Sequence, residues 1–442
     1  MRASDAPSRL RWRLFWVGLF VRVAYITLAH TYRIRPLLDH FQFGWEMGRI
    51  ARALASGYGY SDPFAGHSGP TAWTPPLYPV LLGGVFKLFG VYTKASAWVI
   101  LNINSVFSAA TAPAVYEMAR RLFARGTGTP AKGSSIALWS GWLWALYPAA
   151  MQYAVHWVWD MALTALLFSC VLVLALRTRD TDTDVRDGSG PRSASSWLVF
   201  GVLWGLIALS NSSLLLFLPA CTLWMLWPLL ARRRFGLAVR NASLAAVCCV
   251  LLVSPWLLRN WKVFHAFVPM RLNFGPEMYE ATRSWNDGLP TMASLPEVEA
   301  DPRYQHYRTV GELAYCRELG ALANTALKKN PELFAGRSLK RVFLFWAGVP
   351  QPAETWGARV GQFFRTFNFD FVSIGALLGL GLALNRRIPG AWLLFWAFLL
   401  LPLVYYLVTV QARFRHPLEP VMTVLIVYLF QSAKPRSRVP KT

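Results

Sequence analysis

The sequence predicts an all-α polytopic membrane protein with about ten transmembrane helices. Apolar runs long enough to cross a bilayer recur along the whole 442-residue chain. Hydrophobic residues make up 55% of it and charged residues only 15%, where a soluble domain carries about 25%. Lys and Arg gather at the ends of the apolar runs, where they set topology. The formal charge of +23 is therefore read as a topology signal and not as a nucleic-acid footprint.

Spans are expected near 13–31, 95–118, 135–153, 157–176, 196–212, 213–231, 242–258, 367–385, 391–410 and 417–432. Arg2, Arg9, Arg11 and Arg13 precede the first. "ARRLFARGTGTPAKG" follows the second, "RTRDTDTDVRDGSGPRSAS" the fourth, "ARRRFGLAVRN" the sixth, "NRR" the eighth and "KPRSRVPK" the last. If ten spans alternate, all six basic segments share one side. That side is the cytoplasm by the positive-inside rule, so both termini are expected there. The first run lacks a small-residue cleavage site and is read as a retained span. The expected organisation is one membrane domain over 1–432 and a basic tail over 433–442. Residues 179–193 are rich in Asp, Thr, Ser and Gly and read as a cytoplasmic loop. Four of the five cysteines, Cys170, Cys221, Cys248 and Cys249, lie in apolar segments and Cys316 in a polar one. Their spacing suggests neither a zinc site nor a disulfide framework.

Two large segments, 32–94 and 259–366, then face the other side. In the first, Phe43, Met47, Ile50 and Leu54 make one apolar helical face, closed by Gly57 and Gly59, as in an interfacial helix. "PPLYPVLLGGVFKLFG" (75–90) is apolar but short, and reads as an embedded or re-entrant helix. Residues 331–349 read as another interfacial helix, with Arg337, Lys340 and Arg341 on a basic face.

Asp39 and Glu46 are seven residues apart and share a face if the helix reaches back to Asp39. A carboxylate at a water–lipid boundary, partly desolvated, gains the proton affinity of a general base. The bland alternative is an N-capping Asp39 and a solvated Glu46 paired with Arg49 or Arg52. Asp62 follows in the loop. Asp160 opens the fourth span, where an acid is a functional candidate, or else is wetted by headgroups. Arg259, Arg271, Arg413 and Arg415 lie outside, against the orientation rule. A guanidinium fork matched to phosphate is one reason for that; snorkelling to headgroups is the other.

These residues resemble the GT-C glycosyltransferases that use polyprenyl-phosphate sugars, especially the bacterial relatives of protein O-mannosyltransferases and aminoarabinose transferases. The resemblance covers most of the chain. It rests on the order of "IARALASGYGY", "GPTAWTPPLYPVLLGGVFKLFG", "WALYPAAMQYAVHWVWD", "PWLLRNWKVFHAFVPMRLNFG" and "YYLVTVQARFRHPLEP". It implies a catalytic acid in the first outer loop, usually an Asp a few residues before an A-x-x-L-x-x-G element, here "ARALASG" (51–57). The usual position falls near Phe43. Asp39 lies one turn earlier and Glu46 nearly one turn later, so both stand as candidate bases.

The resemblance further implies a polyprenyl monophosphate sugar held by outer arginines. An acceptor hydroxyl or amine on an extracytoplasmic glycan, lipid or protein would attack the anomeric carbon with inversion. Some relatives use a divalent metal near the acids, but the spacing of His40, His67 and His156 is no metal motif. Other readings are a transporter or lipid flippase, with charges lining a path across the membrane, and a membrane scaffold. The few charges inside the spans and the lack of an inverted repeat weigh against transport.

Overall fold

Backbone polar groups in lipid must be satisfied within the chain, which leaves the helix as the way to bury these apolar runs. The computed structural model describes residues 6–34, 43–123, 130–184, 191–283, 295–296, 299–349 and 355–432. It begins with α1 (Ala6–Leu28), α2 (Glu46–Ala55), α3 (Leu77–Phe89), α4 (Lys94–Phe123), α5 (Pro130–Leu146) and α6 (Pro148–Val155). Next come α7 (Met161–Asp184), α8 (Pro191–Ala208), α9 (Leu218–Ala231) and α10 (Phe235–Phe264). The second outer segment holds α11 (Phe274–Thr282), α12 (Pro302–Val310), α13 (Glu312–Lys329) and α14 (Pro331–Ala347). The chain closes with α15 (Trp356–Asn385), α16 (Ala391–Leu400), α17 (Leu403–Leu407) and α18 (Glu419–Ser432). Single 3₁₀ stretches precede α9 and α18, at Ser212–Phe217 and Ala412–Leu418. Among the described residues there is no strand, only an isolated bridge between Ser61 and Pro70.

Five helical stretches among the described residues are long and apolar enough to cross a membrane: Lys94–Phe123, Met161–Arg179, Ser212–Ala231, Phe235–Phe264 and Trp356–Asn385. The other expected spans are also helical, and the differences lie at breaks. The third is divided between α5 and α6 at Tyr147, because Pro148 cannot continue the ladder. The ninth is divided by Pro402 into α16 and α17. The eighth begins at Trp356, well before residue 367, where Thr355 accepts the Ala358 N–H as an N-cap.

The helices close around α18, which packs on α15, α5 and α4 and buries every residue from Glu419 to Tyr428. Arg22 of α1 is fully buried. Its guanidinium donates to the Ala145 carbonyl at 2.7 Å, the Gly18 carbonyl at 2.9 Å and Ser108 at 3.1 Å. Ala145 lies in the last turn of α5, whose carbonyls lose their partners at the break. The charge thus completes a helix end where no water reaches.

Two expectations about the outer segments change. α2 starts at Glu46, preceded by a turn over 43–45, so Glu46 is not part of a longer helix reaching toward residue 39. Asp39 itself lies outside the described residues. Arg337 and Arg341 do not form a basic face with the exposed Lys340: Arg337 is half-buried and donates to the Arg283 carbonyl at 2.8 Å, and Arg341 goes further. It is fully buried and donates to the Tyr406 carbonyl at 2.8 Å, to Ser338 at 2.8 Å and to the Ala281 carbonyl at 3.4 Å. It ties the ends of α11 and α17 to α14.

Arg22→Met should keep the apolar stem but leave the α5 carbonyls without a donor. The expected loss is about 1–3 kcal/mol per buried orphaned group, read as a lower melting temperature of the detergent-solubilised protein.

Candidate active site

Two Gly-x-Glu turns build the site. Gly44 has φ 90°, and a Cβ there would overlap the Val158 carbonyl. Only glycine lets the 43–45 turn lie on the backbone just before Trp159 and Asp160. Trp45 follows at φ 52°, a conformation that costs a non-glycine residue about 1–3 kcal/mol, and the next residue is Glu46. In the second turn a Cβ on Gly275 would overlap the Cys316 carbonyl of α13. That backbone contact seats α11, and Glu277 lies in its first turn.

Arg413, in the 3₁₀ stretch before α18, joins what these turns present. Its guanidinium interacts electrostatically with Glu46, Asp160 and Glu277. It stacks over Trp159 at 3.8 Å, a contact worth about 2 kcal/mol when desolvated. Its Nε is buried with no hydrogen-bond partner.

Burial raises the proton affinity of Glu46 above the usual carboxylate range and outweighs the pull of its backbone hydrogen bond, Arg413 and Arg49. Glu277 repels it further in the same direction. Asp160 lies just before α7 and is 3% exposed. Burial pushes it up to about 6 against Arg413 and Arg271. One of its oxygens faces Ser210 at 3.5 Å and the other has no partner. Glu277 accepts from Thr409 at 2.5 Å.

Beside this cluster a cavity of about 830 Å³ opens between α6, α15 and the Ala412–Leu418 stretch. Tyr147, Tyr153, Trp157, Trp159, Phe364 and Phe367 supply aromatic walls, and Arg365, Arg413, Arg415 and Glu419 the charge. Arg413 is the residue that lines the cavity and also faces the acids.

The structure brings together Glu46, Asp160, Arg271 and Arg413 of the residues singled out in sequence. Arg415 lines the cavity, but its fork is engaged. It donates to the Phe369 carbonyl at 3.0 Å, to Ser373, and to Glu419 at 3.2 Å. Arg259 and Asp62 lie apart from the cavity. Arg259 donates to the Thr71 carbonyl at 2.5 Å and the Tyr60 carbonyl at 2.6 Å. Asp62 accepts from His67 and from the Gly69 N–H, both at 3.0 Å. Sequence reasoning missed Glu277 and Arg365. An acid two residues after a glycine, in a helix-opening "FGPE", was the available signal for the first.

Among the described residues no three His, Cys, Asp or Glu side chains are close enough to hold a metal ion. The described acids face guanidinium groups, Arg413 with Arg49 toward Glu46 and Arg271 toward Asp160, so these described donors do not fit a divalent metal.

A sequence profile of the dolichyl-phosphate-mannose-protein mannosyltransferase family matches residues 74–258. The oligosaccharyltransferase AglB of Archaeoglobus fulgidus, solved with an inhibitory peptide and a dolichol-phosphate, aligns with a TM-score of 0.55 at 14% identity. The alignment covers 96% of this chain and 50% of that chain. The chain has a GT-C fold. The apo form of the Archaeoglobus enzyme gives the same GT-C alignment, with a TM-score of 0.53 at 14% identity over 96% and 50% of the two chains. This chain therefore spans about half the length of those structures. ArnT of Cupriavidus metallidurans, bound to undecaprenyl phosphate, aligns at a TM-score of 0.37 and 16% identity, over 97% of this chain and 79% of that one. Comparison with curated proteins gives no match.

Gly275→Ala should push α11 off α13. Overpacking costs about 1–3 kcal/mol, and the expected result is a lower melting temperature together with faster exchange of the α11 amides. Gly320→Ala, which meets only Gly275 at ordinary contact distance, is the control and should be milder.

Proposed function

We propose that the protein is an integral membrane glycosyltransferase that moves a sugar from a polyprenyl monophosphate to an acceptor hydroxyl or amine, with inversion. The observation that carries this reading is the position of Arg413, on the wall of an aromatic cavity and within electrostatic reach of three carboxylates. A sugar phosphate entering the cavity meets the Arg413 guanidinium, which also interacts with acids that do not line the cavity. The dolichol-phosphate in the Archaeoglobus structure supports a lipid-linked phosphate as the ligand class.

In this reading Arg413 binds the donor phosphate and stabilises it as it leaves. Fixed donors in a water-poor site need no reorganisation during the reaction. Glu46 takes the acceptor proton, since its raised affinity suits that task. Asp39 remains the other candidate base. Asp160 and Glu277 hold Arg413 in place, and Glu277 sharpens the proton affinity of Glu46. Arg415, engaged with Glu419 and Ser373, shapes the phosphate end of the cavity. The active site faces the extracytoplasmic side and both termini the cytoplasm.

The test is sugar transfer by purified protein from a radiolabelled polyprenyl-phosphate sugar. Arg413→Lys keeps the charge and loses the fork. It should weaken donor binding about ten- to a hundredfold, the value of one or two charge-assisted hydrogen bonds. Lipid movement across the bilayer without transfer would replace this reading with a flippase.

Glu46→Gln should lower the rate about 10²–10⁴-fold with the donor still bound. If Asp39→Asn does so and Glu46→Gln does not, the base is Asp39. The wild-type rate should fall as pH drops through the raised Glu46 value, so the acidic limb of the profile lies above the ordinary carboxylate range. A limb near 4.5, the ordinary glutamate value, would assign the limb to an unshifted acid.

A further inference from the structure

Glu312 opens α13 and is 3% exposed. Three donors converge on its carboxyl group: Thr71 Oγ1 at 2.5 Å, the Ala72 N–H at 2.7 Å and the Tyr307 hydroxyl at 2.9 Å. Thr71 and Ala72 belong to the first outer segment, which carries Glu46. Glu312 belongs to the second, which carries Glu277. Ala72 is gripped on both sides, because its carbonyl accepts from the Leu272 N–H at 2.9 Å. One turn beyond Glu312, the Cys316 carbonyl is the surface on which Gly275 and α11 rest. A single carboxyl group therefore connects the loop that follows α2 to the helix that seats Glu277.

We infer that Glu312 is a positioning residue whose carboxyl group clasps the two outer segments together and so sets the relation of Glu46 to Glu277. The clasp stands on geometry alone; its effect on transfer rests on the function proposed above.

The direction with pH follows from linkage. Burial pushes the Glu312 carboxyl up to about 7, against the three donors and Arg259. Released to water it returns toward 4.5. The clasped state thus binds the proton more tightly than the released state. Clasping is firmest below about 4.5, weakens as pH rises toward about 7, and levels above that. The groups facing it are Arg259 of α10, Tyr60 of the loop, Tyr307 of α12 and Cys316 of α13, with Asp62 facing Tyr307 in turn.

Amide exchange of the full chain in lipid nanodiscs, followed by mass spectrometry from about pH 5 to about pH 8 and corrected for intrinsic exchange, reads the clasp without any donor. In the wild type, opening at residues 71–73 should gain up to about tenfold per pH unit until about 7. Glu312→Gln, always neutral, should be flat and as protected as the wild type at low pH. Glu312→Ala should be poorly protected throughout. A flat wild-type profile, or an unchanged slope in Glu312→Gln, overturns the inference. If the Gln variant does not fold, Tyr307→Phe decides: losing one donor to the carboxylate should move the midpoint upward, and an unmoved midpoint refutes the role. Absence of sugar transfer with the exchange result intact would reject the enzymatic reading and leave the clasp standing.

Discussion

A guanidinium taken out of water must be met by anions, carbonyls or ring faces, and at Arg413 the chain supplies ring and anions from three separate places. Trp159 covers one face of it, while Glu46, Asp160 and Glu277 surround it electrostatically. No two of these acids belong to the same helix. Holding them together without the cation would place several carboxylates in a poorly solvated site, and each would take up a proton. The arginine keeps the cluster charged in part, and burial keeps Glu46 easily protonated. The same charge forms part of the cavity wall, so the acid cluster and the aromatic cavity meet at one side chain.

The other arginines outside the expected cytoplasmic side have a different cause. Arg341 caps the broken ends of α11 and α17, Arg259 holds the carbonyls of Tyr60 and Thr71, and Arg415 binds the Phe369 carbonyl. Arg341 and Arg259 sit where the backbone leaves regular helix and exposes carbonyl oxygens, whereas Arg415 reaches a carbonyl inside α15 and pairs with Glu419. An arginine with five donors satisfies several of them at once. Irregular backbone near the membrane is tolerated when it is buried in protein and hydrogen-bonded there. Departure from the positive-inside trend thus marks stitched backbone at two positions, a buried ion pair at Arg415 and a candidate anion site at Arg413.

The sequence made the helices legible because hydrophobicity alone reports them: each expected span is a helix or a pair of helices. It was less informative at the breaks, where one proline decides between a straight span and α5–α6. Glu46, Asp160 and Arg413 were visible as charges at the edge of apolar runs. Their meeting was not, since it depends on Gly44 touching Val158 across more than a hundred residues of chain. Glu277 was hidden for the same reason. Its contact with the site runs through Gly275 and α13, and no periodicity encodes a backbone-to-backbone approach. Arg259 and Arg415 show the converse: their type and location suited phosphate, but a residue's type does not say whether its donors are already engaged.

Presenting the acids on two outer segments makes the site a product of their docking. Glu46 is fixed by Gly44 on the 158–160 turn, and Glu277 by Gly275 on α13. Neither contact fixes one acid against the other. That relation passes through Ala72, between Leu272 and Glu312, and through Arg259 on the Tyr60 and Thr71 carbonyls. If either link loosens, the acids separate while each segment keeps its own fold. A site with its acids on one helix would be stiffer and would have no such joint. On the proposed function, the joint is where the roof would part for an acceptor, while the helices closed around the buried 419–428 stretch of α18 stay in place.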